Sequence, residues 1–341
     1  MIHPKKILII RLSSIGDIIL TTPLIRAVRK QFPEAEIDFL VKTEFSDLLK
    51  YNLQINKIIK FDKNLKIKGL NELKNQIQAQ KYDWIIDLHK NLRSRYLVFF
   101  SNAKLITNYS KQYWYRTLLI LFKINLYPKP IKKVYLHYFD AVSVANIIDD
   151  DQGTEIFFSE KENQNYLQII ENQGYKNQKP ILAICPAASA NTKKWLSDGF
   201  AKVADHFAKK YEIVLLGGKA DIEICEEVRS KMQSKAINLA GKTNLLESAV
   251  LLKNSVALVC NDTGMMHLAQ SQKTPVVGIF GSTTEELGYF PLESKSKAVQ
   301  ADVPCRPCTH NGKNACPKGH FDCMQKIAAS QVILAVEDLL A

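Results

Sequence analysis

Long hydrophobic runs are missing from this sequence. Its longest apolar stretches, such as residues 118–122, are far shorter than the roughly 20 residues that a helix needs to span a bilayer. The apolar run at residues 7–10 ends at Arg11 and is too short for the core of a signal peptide. A composition of 46% hydrophobic and 23% charged residues is typical of a globular protein rather than a disordered one. We therefore expect a folded cytoplasmic protein.

Acidic residues are outnumbered: 34 Asp and Glu stand against 46 Lys and Arg, which gives a formal net charge of +12. Such a charge favours anionic partners, for example nucleic acids, phosphorylated sugars or lipids, or an acidic membrane face. Most of the lysines are scattered, as on an ordinary solvated surface. Residues 109–133 differ, because aromatic and basic residues surround an apolar centre there. This segment predicts either a helix at a membrane interface or an amphipathic core helix followed by a proline-rich loop.

Glycine is scarce in the loop that follows the first predicted strand. Residues 11–17 contain one glycine, Gly16, whereas the dinucleotide-binding fingerprint needs three. This disfavours a nicotinamide-dependent dehydrogenase. Asp17 is predicted at the entrance of the next helix, where it is either a helix cap or a catalytic carboxylate that faces a cleft.

Short β-branched runs alternate with helical patterns along the whole chain, which predicts parallel sheets wrapped by helices. A length of 341 residues favours two domains. Polar residues at 149–153, followed by a polar helix that ends near Gly174, suit a boundary between them. Each half has five predicted strands: 6–10, 36–41, 57–61, 84–88 and 104–107, then 181–185, 212–216, 236–239, 256–260 and 276–280. Ligands of such sheets bind beyond the carboxyl ends of the strands, so the loops there are the places to search.

The turn at residues 261–267 is the most informative of these loops. It contains Asp262, Thr263 and Gly264, and it lies between a buried strand and a helical pattern. Backbone amides and the positive end of the helix dipole at such a turn favour an anion, and phosphate is the obvious candidate. An ordinary turn, with Asp262 or Thr263 as the helix cap, is the alternative.

Two further loops carry polar groups after predicted strands. Small residues surround Ser189 and Lys193 in one loop, and these side chains offer a hydroxyl and a cation to a diphosphate. The other loop has paired glycines before Glu223, whose carboxylate can accept hydrogen bonds from ribose hydroxyls. Both loops are also compatible with solvated surface.

Four of the seven cysteines lie close together in the last part of the chain. Cys305, Cys308, Cys316 and Cys323 predict either a structural zinc site or reduced, packed thiols. Only the first pair has the short spacing that is usual for a zinc knuckle.

These motifs together resemble the bacterial ADP-heptose:lipopolysaccharide heptosyltransferases of glycosyltransferase family 9. The resemblance rests on residues 11–17, on Lys193-x-Trp195, on residues 262–269 and on residues 280–283, in the expected order. It implies the α/β GT-B fold, in which two Rossmann-like, doubly wound domains face a central cleft. The implied domains are residues 1–165 for the acceptor, 175–325 for the nucleotide sugar, and 326–341 as a final helix that packs back on the first domain.

The resemblance also implies roles for individual residues. Asp17 is the general base, and since its reference pKa is about 3.9, the site is expected to raise that pKa by burial or to tighten the hydrogen bond to the acceptor. The implied donor-binding residues are Ser189, Lys193, Glu223, Asp262, Thr263, Gly264 and His267, of which His267 has a structural role as the alternative. The expected acceptor-binding residues are Arg11, Ser14, Lys90 and Arg93; for Lys90 and Arg93, solvent-facing positive charge is the alternative. Some family members have two hydroxyl residues where this chain has Ala188-Ser189.

The expected function is therefore inverting transfer of a heptose from ADP-heptose to the phosphorylated inner core of lipopolysaccharide, without a cofactor. Peripheral contact with the cytoplasmic face of the inner membrane is part of this expectation. One alternative is a relative with another nucleotide sugar or acceptor. Another is a basic nucleic-acid-binding protein with a zinc-knuckle tail, although the basic and aromatic residues form no RNA-recognition signature.

Overall fold

The computed structural model describes residues 2–292 and 295–341. The chain forms two compact units. The first unit comprises the chain up to Lys111 together with Val134–Phe157, and the second comprises Gln112–Lys133 and Phe158–Ala341. The chain therefore enters the second unit briefly, returns to the first, and then completes the second.

The helices follow one another in chain order. They are α1 (Ile15–Ile19), α2 (Thr22–Gln31), α3 (Lys66–Gln80), α4 (Leu92–Phe99), α5 (Tyr113–Thr117), α6 (Val134–Tyr138), α7 (Glu160–Asn172), α8 (Ser197–Phe207), α9 (Ile222–Lys231), α10 (Leu245–Lys253), α11 (Gly264–Ser271), α12 (Asp322–Gln325) and α13 (Ala329–Leu340). In the described part of the chain, none of them combines the length and the apolar character needed to cross a membrane.

The first unit is built on a parallel sheet of five strands in the order β3-β2-β1-β4-β5. Its strands are β1 (Lys6–Ile10), β2 (Glu36–Lys42), β3 (Lys57–Phe61), β4 (Trp84–Asp87) and β5 (Leu105–Asn108). The central strand β1 is fully buried from Ile7 to Ile10, as expected when helices cover both faces of a parallel sheet. All five strands are close to their predicted positions.

The second unit has a parallel sheet of six strands in the order β11-β10-β9-β6-β7-β8. Its strands are β6 (Ile181–Cys185), β7 (Glu212–Leu215), β8 (Ile237–Asn238), β9 (Ser255–Asn261), β10 (Val276–Phe280) and β11 (Lys297–Gln300). Five of them were predicted, and the edge strand β11 was not. The prediction of two doubly wound α/β domains is therefore confirmed.

The final helix α13 packs against α8 and against strands β9, β10 and β11. Val332 and Val336 on this helix are buried in the same hydrophobic core as Phe200 and Ile213. These contacts explain why the helix belongs to the second compact unit. The domain boundaries expected from the sequence, and the contact of residues 326–341 with the first domain, stay predictions.

Candidate functional site

The loop between β1 and α1 holds the Asp17 carboxylate in place. Ser14 precedes the helix and forms a capping box with Asp17 in its first turn. The Ser14 amide donates to Asp17 Oδ2 over 3.1 Å, and the Ser14 hydroxyl donates to the same oxygen over 3.0 Å. Asp17 therefore caps the start of the helix, which is one of the two roles predicted for it. Its other oxygen, Oδ1, contacts Arg11.

Arg11 is the cation beside Asp17. Its Nη2 lies 2.7 Å from Asp17 Oδ1, and both side chains are largely buried. The same guanidinium donates to the carbonyl oxygens of Ser13 and Leu88 and lies over the ring of Tyr138. Arg11 is thus fixed from several sides, so the charge next to Asp17 is a permanent part of this unit.

The electrostatics of Asp17 differ from the sequence-based expectation. Burial on its own would raise the pKa of Asp17, but the Arg11 charge and the hydrogen bonds from Ser14 outweigh it and hold that pKa far below its usual range. Of the two expected alternatives, the raised pKa is therefore wrong, and the tighter hydrogen bond to the acceptor stays a prediction. Asp17 is fully ionised at neutral pH, because an adjacent cation and hydrogen-bond donors all favour the carboxylate.

A second loop of the first unit, between β4 and α4, contains Lys90. Buried Asp87 organises it: Oδ1 accepts from the amides of His89 and Lys90 over 2.9 and 2.8 Å, and Oδ2 accepts from Ser94 Oγ over 2.8 Å. Lys90 Nζ donates to the Tyr109 carbonyl oxygen over 3.2 Å. The sequence analysis did not identify this role of Asp87, although an aspartate directly after a strand is a usual turn signal.

His89 in the same loop is partly buried among charged groups. Burial, together with the charges of Arg11 and Lys111, lowers the pKa of His89 to about 3, so its imidazole is neutral at neutral pH. Lys111 Nζ donates to the His89 carbonyl oxygen over 2.6 Å. Arg93 is exposed on the first turn of α4. Cationic side chains therefore surround this loop, and the acceptor-phosphate site expected there stays a prediction.

In the second unit, Asp262 and Lys193 form an ion pair directly before α11. Lys193 Nζ lies 2.7 Å from Asp262 Oδ2, which also accepts from Thr283 Oγ1 over 2.8 Å. Thr263 is the N-cap residue of α11, yet its side chain makes no capping hydrogen bond. The amides of the first helical turn, from Gly264 onward, thus lie next to a lysine, and together they make a favourable environment for an anion.

Asn261 joins the two loops that contribute these residues. It is the last residue of β9 and is completely buried. Its Nδ2 donates to the Pro186 carbonyl oxygen over 2.7 Å, and its Oδ1 accepts from the Trp195 amide over 3.0 Å. Because Pro186 and Trp195 flank the loop that contains Lys193, Asn261 fixes that loop beside Asp262. Ser189 lies exposed in the same loop.

The chain beyond β11 supports Lys193 from the other side. Gly312 has a φ of +89°, and a Cβ at this position would overlap the Cβ of Ala190 and lie 3.3 Å from Cγ of Lys193. Thr192 pairs with Lys313 nearby, since each residue's amide donates to an oxygen of the other. The segment that carries the clustered cysteines, residues 305–323, thus packs against the loop of Lys193. The sequence analysis missed this role.

If Lys193 binds the diphosphate as the sequence predicts, Gly312→Ala should weaken ADP binding. It should also destabilise the protein by about 1–2 kcal/mol or more, because a left-handed backbone and a steric overlap coincide there. The matched control is Gly319→Ala in the same tail, where φ is +77° and no atom lies within 4 Å of the added Cβ. ADP titration by calorimetry and thermal unfolding check both variants. Equal effects of the two substitutions on ADP affinity would contradict the role given to Gly312.

Two remaining donor-site predictions lie elsewhere in the second unit. Glu223 is exposed in the first turn of α9. His267 is buried on α11, with its ring centroid 6.3 Å from that of Tyr289. The contacts of Glu223 and His267 in the structure do not identify a ligand, so both roles stay predictions.

The four clustered cysteines are free thiols. Within residues 2–292 and 295–341, no group of three or more His, Cys, Asp or Glu side chains has an arrangement that could hold a metal ion. Burial raises the pKa of Cys323 to about 11, whereas hydrogen bonds from backbone amides lower the pKa of Cys316. The structure gives the predicted zinc site no support, and the alternative of reduced, packed thiols stays a prediction.

Comparison with known proteins decides the family. The family model described as glycosyltransferase family 9 (heptosyltransferase) matches residues 70–318, well over half of the chain. The chain belongs to glycosyltransferase family 9. The resemblance seen in the motifs is thereby confirmed, and so is the prediction that this protein is a glycosyltransferase.

Relatives of this family 9 protein are similar along most of its length. Lipooligosaccharide heptosyltransferase 2 of Campylobacter jejuni is 26% identical, over 96% of this chain and 95% of the relative. Lipopolysaccharide heptosyltransferase 3 of Escherichia coli is 28% identical, over 79% of this chain and 80% of the relative.

Solved structures give the same result for the fold. A family 9 glycosyltransferase from Veillonella parvula has a TM-score of 0.83 at 26% identity, and the match covers 98% of this chain and 97% of that one. The ADP-heptose lipopolysaccharide heptosyltransferase II of Escherichia coli has a TM-score of 0.76 at 21% identity, with 98% of each chain covered. The predicted GT-B fold is therefore confirmed.

Proposed function

We propose that this family 9 glycosyltransferase moves a heptose from ADP-heptose to a hydroxyl of the phosphorylated inner core of lipopolysaccharide, with inversion at the anomeric carbon. The observation that carries the proposal is the Lys193–Asp262 ion pair at the start of α11, where the lysine and the first-turn amides of the helix can bind a diphosphate. The sugar is proposed because the relatives that match most of the chain are named heptosyltransferases.

We assign donor binding to the second unit. Lys193 and the first-turn amides of α11 would contact the diphosphate, and Asp262, Thr263 and Gly264 would hold the phosphate and the sugar. Ser189 and His267 are proposed as further donor contacts and Glu223 as a ribose ligand. A heptosyltransferase of Escherichia coli solved with ADP shares this fold, with a TM-score of 0.70 at 16% identity.

We assign acceptor binding to the first unit. Asp17 is the proposed base, and Arg11 and Ser14 hold it ionised and oriented. Lys90 and Arg93 are proposed to meet acceptor phosphates, since they lie at the loop where cations accumulate. Neutral His89 offers a hydrogen bond there without adding charge.

The proposed reaction balances without a covalent intermediate. The acceptor oxygen attacks the anomeric carbon, its proton moves to Asp17, and the bond to the diphosphate breaks with both electrons on departing ADP. Asp17 is a weak base, so proton transfer becomes favourable only as the new C–O bond makes the hydroxyl acidic. Lys193 and the α11 amides would stabilise the charge on ADP, and the scheme requires no cofactor.

The proposed location is the cytoplasm, with peripheral contact to the cytoplasmic face of the inner membrane. The proposal rests on the two proposed partners, which are a nucleotide sugar and an acceptor carried by the membrane. We propose no nucleic-acid partner.

A thermal-shift screen against nucleotide sugars tests the proposed donor. We expect ADP-heptose to raise the unfolding temperature most, because a ligand at 100 times its Kd stabilises the folded state by about 2.7 kcal/mol. Larger shifts with uridine or guanosine diphosphate sugars would mean that the donor is one of these sugars and not ADP-heptose. Salt-dependent oligonucleotide binding, without a shift from any nucleotide sugar, would favour the nucleic-acid alternative.

A further inference from the structure

Residues 112–133 expose a cluster of large apolar side chains. They run from α5 through one π-helical turn, Leu118–Phe122, into an irregular stretch. Trp114 is 81% exposed, Leu121 68% and Phe122 65%. Single exposed apolar residues are normal on protein surfaces, but a cluster within one short segment marks a binding surface. We call this cluster the apolar face.

Polar side chains attach the same segment to the second unit. Lys123 Nζ donates to the carbonyl oxygens of Cys305 and Pro307 over 2.8 and 2.6 Å. Arg116 Nη1 lies 2.9 Å from His310 Nε2, and Asn125 Nδ2 donates to Glu286 over 3.0 Å. A water-facing helix normally turns its apolar side inward and its polar side outward. Here several polar groups face the protein while large apolar groups face outward.

The charge of this segment identifies the kind of partner. Residues 112–133 contain no Asp or Glu, and their basic residues are Arg116, Lys123, Lys129, Lys132 and Lys133. Aromatic side chains mixed with lysine and arginine are typical of surfaces that lie in the headgroup region of an anionic bilayer. The interior of a protein–protein interface is instead depleted of lysine.

We propose that the apolar face docks on an anionic phospholipid bilayer, with Trp114, Leu121 and Phe122 inserted among the headgroups. Lys129, which is exposed, would lie at the lipid phosphates. The inference deepens the proposed function, on which it rests for the membrane-borne acceptor, by naming the segment that meets the membrane. It places this contact on the second unit.

Tryptophan fluorescence tests the insertion directly. The chain has three tryptophans, of which Trp84 and Trp195 are buried and Trp114 is exposed. Phosphatidylglycerol-rich vesicles should therefore shift the emission of the full-length protein to shorter wavelength, and lipids brominated on the acyl chains should quench it. Trp114→Phe should remove both signals while the protein still co-sediments with the vesicles. No shift, no quenching and no co-sedimentation with the unchanged protein would overturn the proposal.

A matched pair of variants tests the rest of the apolar face. Leu121→Ser combined with Phe122→Ser should lower partitioning onto the anionic vesicles by about tenfold or more, because two large apolar side chains no longer leave water. Leu334→Ser is the control, since Leu334 is 63% exposed on α13 of the same unit. Equal losses in the two proteins, or partitioning that the double variant does not change, would contradict docking through this face.

Two further measurements separate this inference from the proposed function. The double variant should bind ADP-heptose and glycosylate a delipidated acceptor within about twofold of the unchanged protein. In the unchanged protein, normal donor binding without vesicle binding would overturn the membrane surface alone, whereas vesicle binding without donor binding would overturn the proposed function alone. Light scattering distinguishes a second copy of the chain as the occupant: a dimer that the double variant abolishes, without vesicle binding, would also overturn the proposal.

Discussion

Replacing Asp17 by asparagine should lower kcat for sugar transfer by about 10²- to 10⁴-fold, the range that general bases usually contribute. Asparagine keeps the shape of the side chain but cannot take the acceptor proton. It also leaves Arg11, whose side chain is largely buried, without its counter-ion, so some loss of stability is expected as well. Transfer of radiolabelled sugar measures kcat, and ADP titration should show a donor affinity close to that of the unchanged protein.

Asp150→Asn is the matched control for the lost ion pair. Asp150 Oδ1 lies 2.6 Å from Nη2 of Arg26 in the same unit, and this contact lowers the pKa of Asp150 to about 2. Breaking this pair should cost stability but leave kcat within about twofold. If Asp17→Asn turned over normally, or if Asp150→Asn reduced kcat as severely, the assignment of the base would be wrong.

The depressed pKa of Asp17 predicts how its contribution depends on pH. A carboxylate whose pKa is lower in the folded protein stabilises the fold above its unfolded pKa, near 3.8, and this contribution is lost as the pH falls toward the folded value. Between pH 5 and 8, Asp17 stays ionised and should add no acid limb to the kcat profile. An acid limb near neutral pH that Asp17→Asn removes would show that its pKa is raised instead.

Lys193→Ala should weaken ADP binding by about 10- to 100-fold, equivalent to about 1.4–2.8 kcal/mol, which is the usual value of a hydrogen-bonded charge contact. The loss has two sources. The diphosphate would lose contact with a cation. It would also be repelled by the largely buried Asp262 carboxylate, whose charge Lys193 now neutralises. Calorimetric titration with ADP measures the change.

Lys194→Ala is the matched control, because it removes the same charge from the next residue. The ion pairs of the described residues include Lys193 with Asp262 and none for Lys194. ADP affinity should therefore change by less than about twofold. Equal losses in the two variants would mean that the general positive charge of the loop, rather than the Lys193 contact, attracts ADP.

The sequence predicted the strands well where burial made the pattern strong. Ile7 to Ile10 and β10 read as continuous apolar runs because helices cover both faces of each sheet. The edge strand β11 was missed because three of its four residues are exposed. Such a strand shows little of the apolar pattern that marks its neighbours in the sheet.

The residues of the candidate site could be predicted where a motif directly follows a strand. They could not be predicted where the contacts join residues that are far apart in the sequence. Asp17, Lys193 and Asp262 lie in loops that strand–loop–helix patterns expose. Asn261 and Gly312 act through Pro186 and Ala190, which are far from them in the chain, so local patterns give no sign of these contacts.

The Lys193–Asp262 contact has a consequence for turnover under the proposed function. Donor capture would be an exchange of counter-ions, because the diphosphate has to displace a carboxylate that already neutralises the lysine. Under that proposal, the same carboxylate would pair with Lys193 again after transfer, which would speed ADP dissociation and limit product inhibition. The ion pair would thus lower the affinity for the donor and at the same time accelerate the release of ADP.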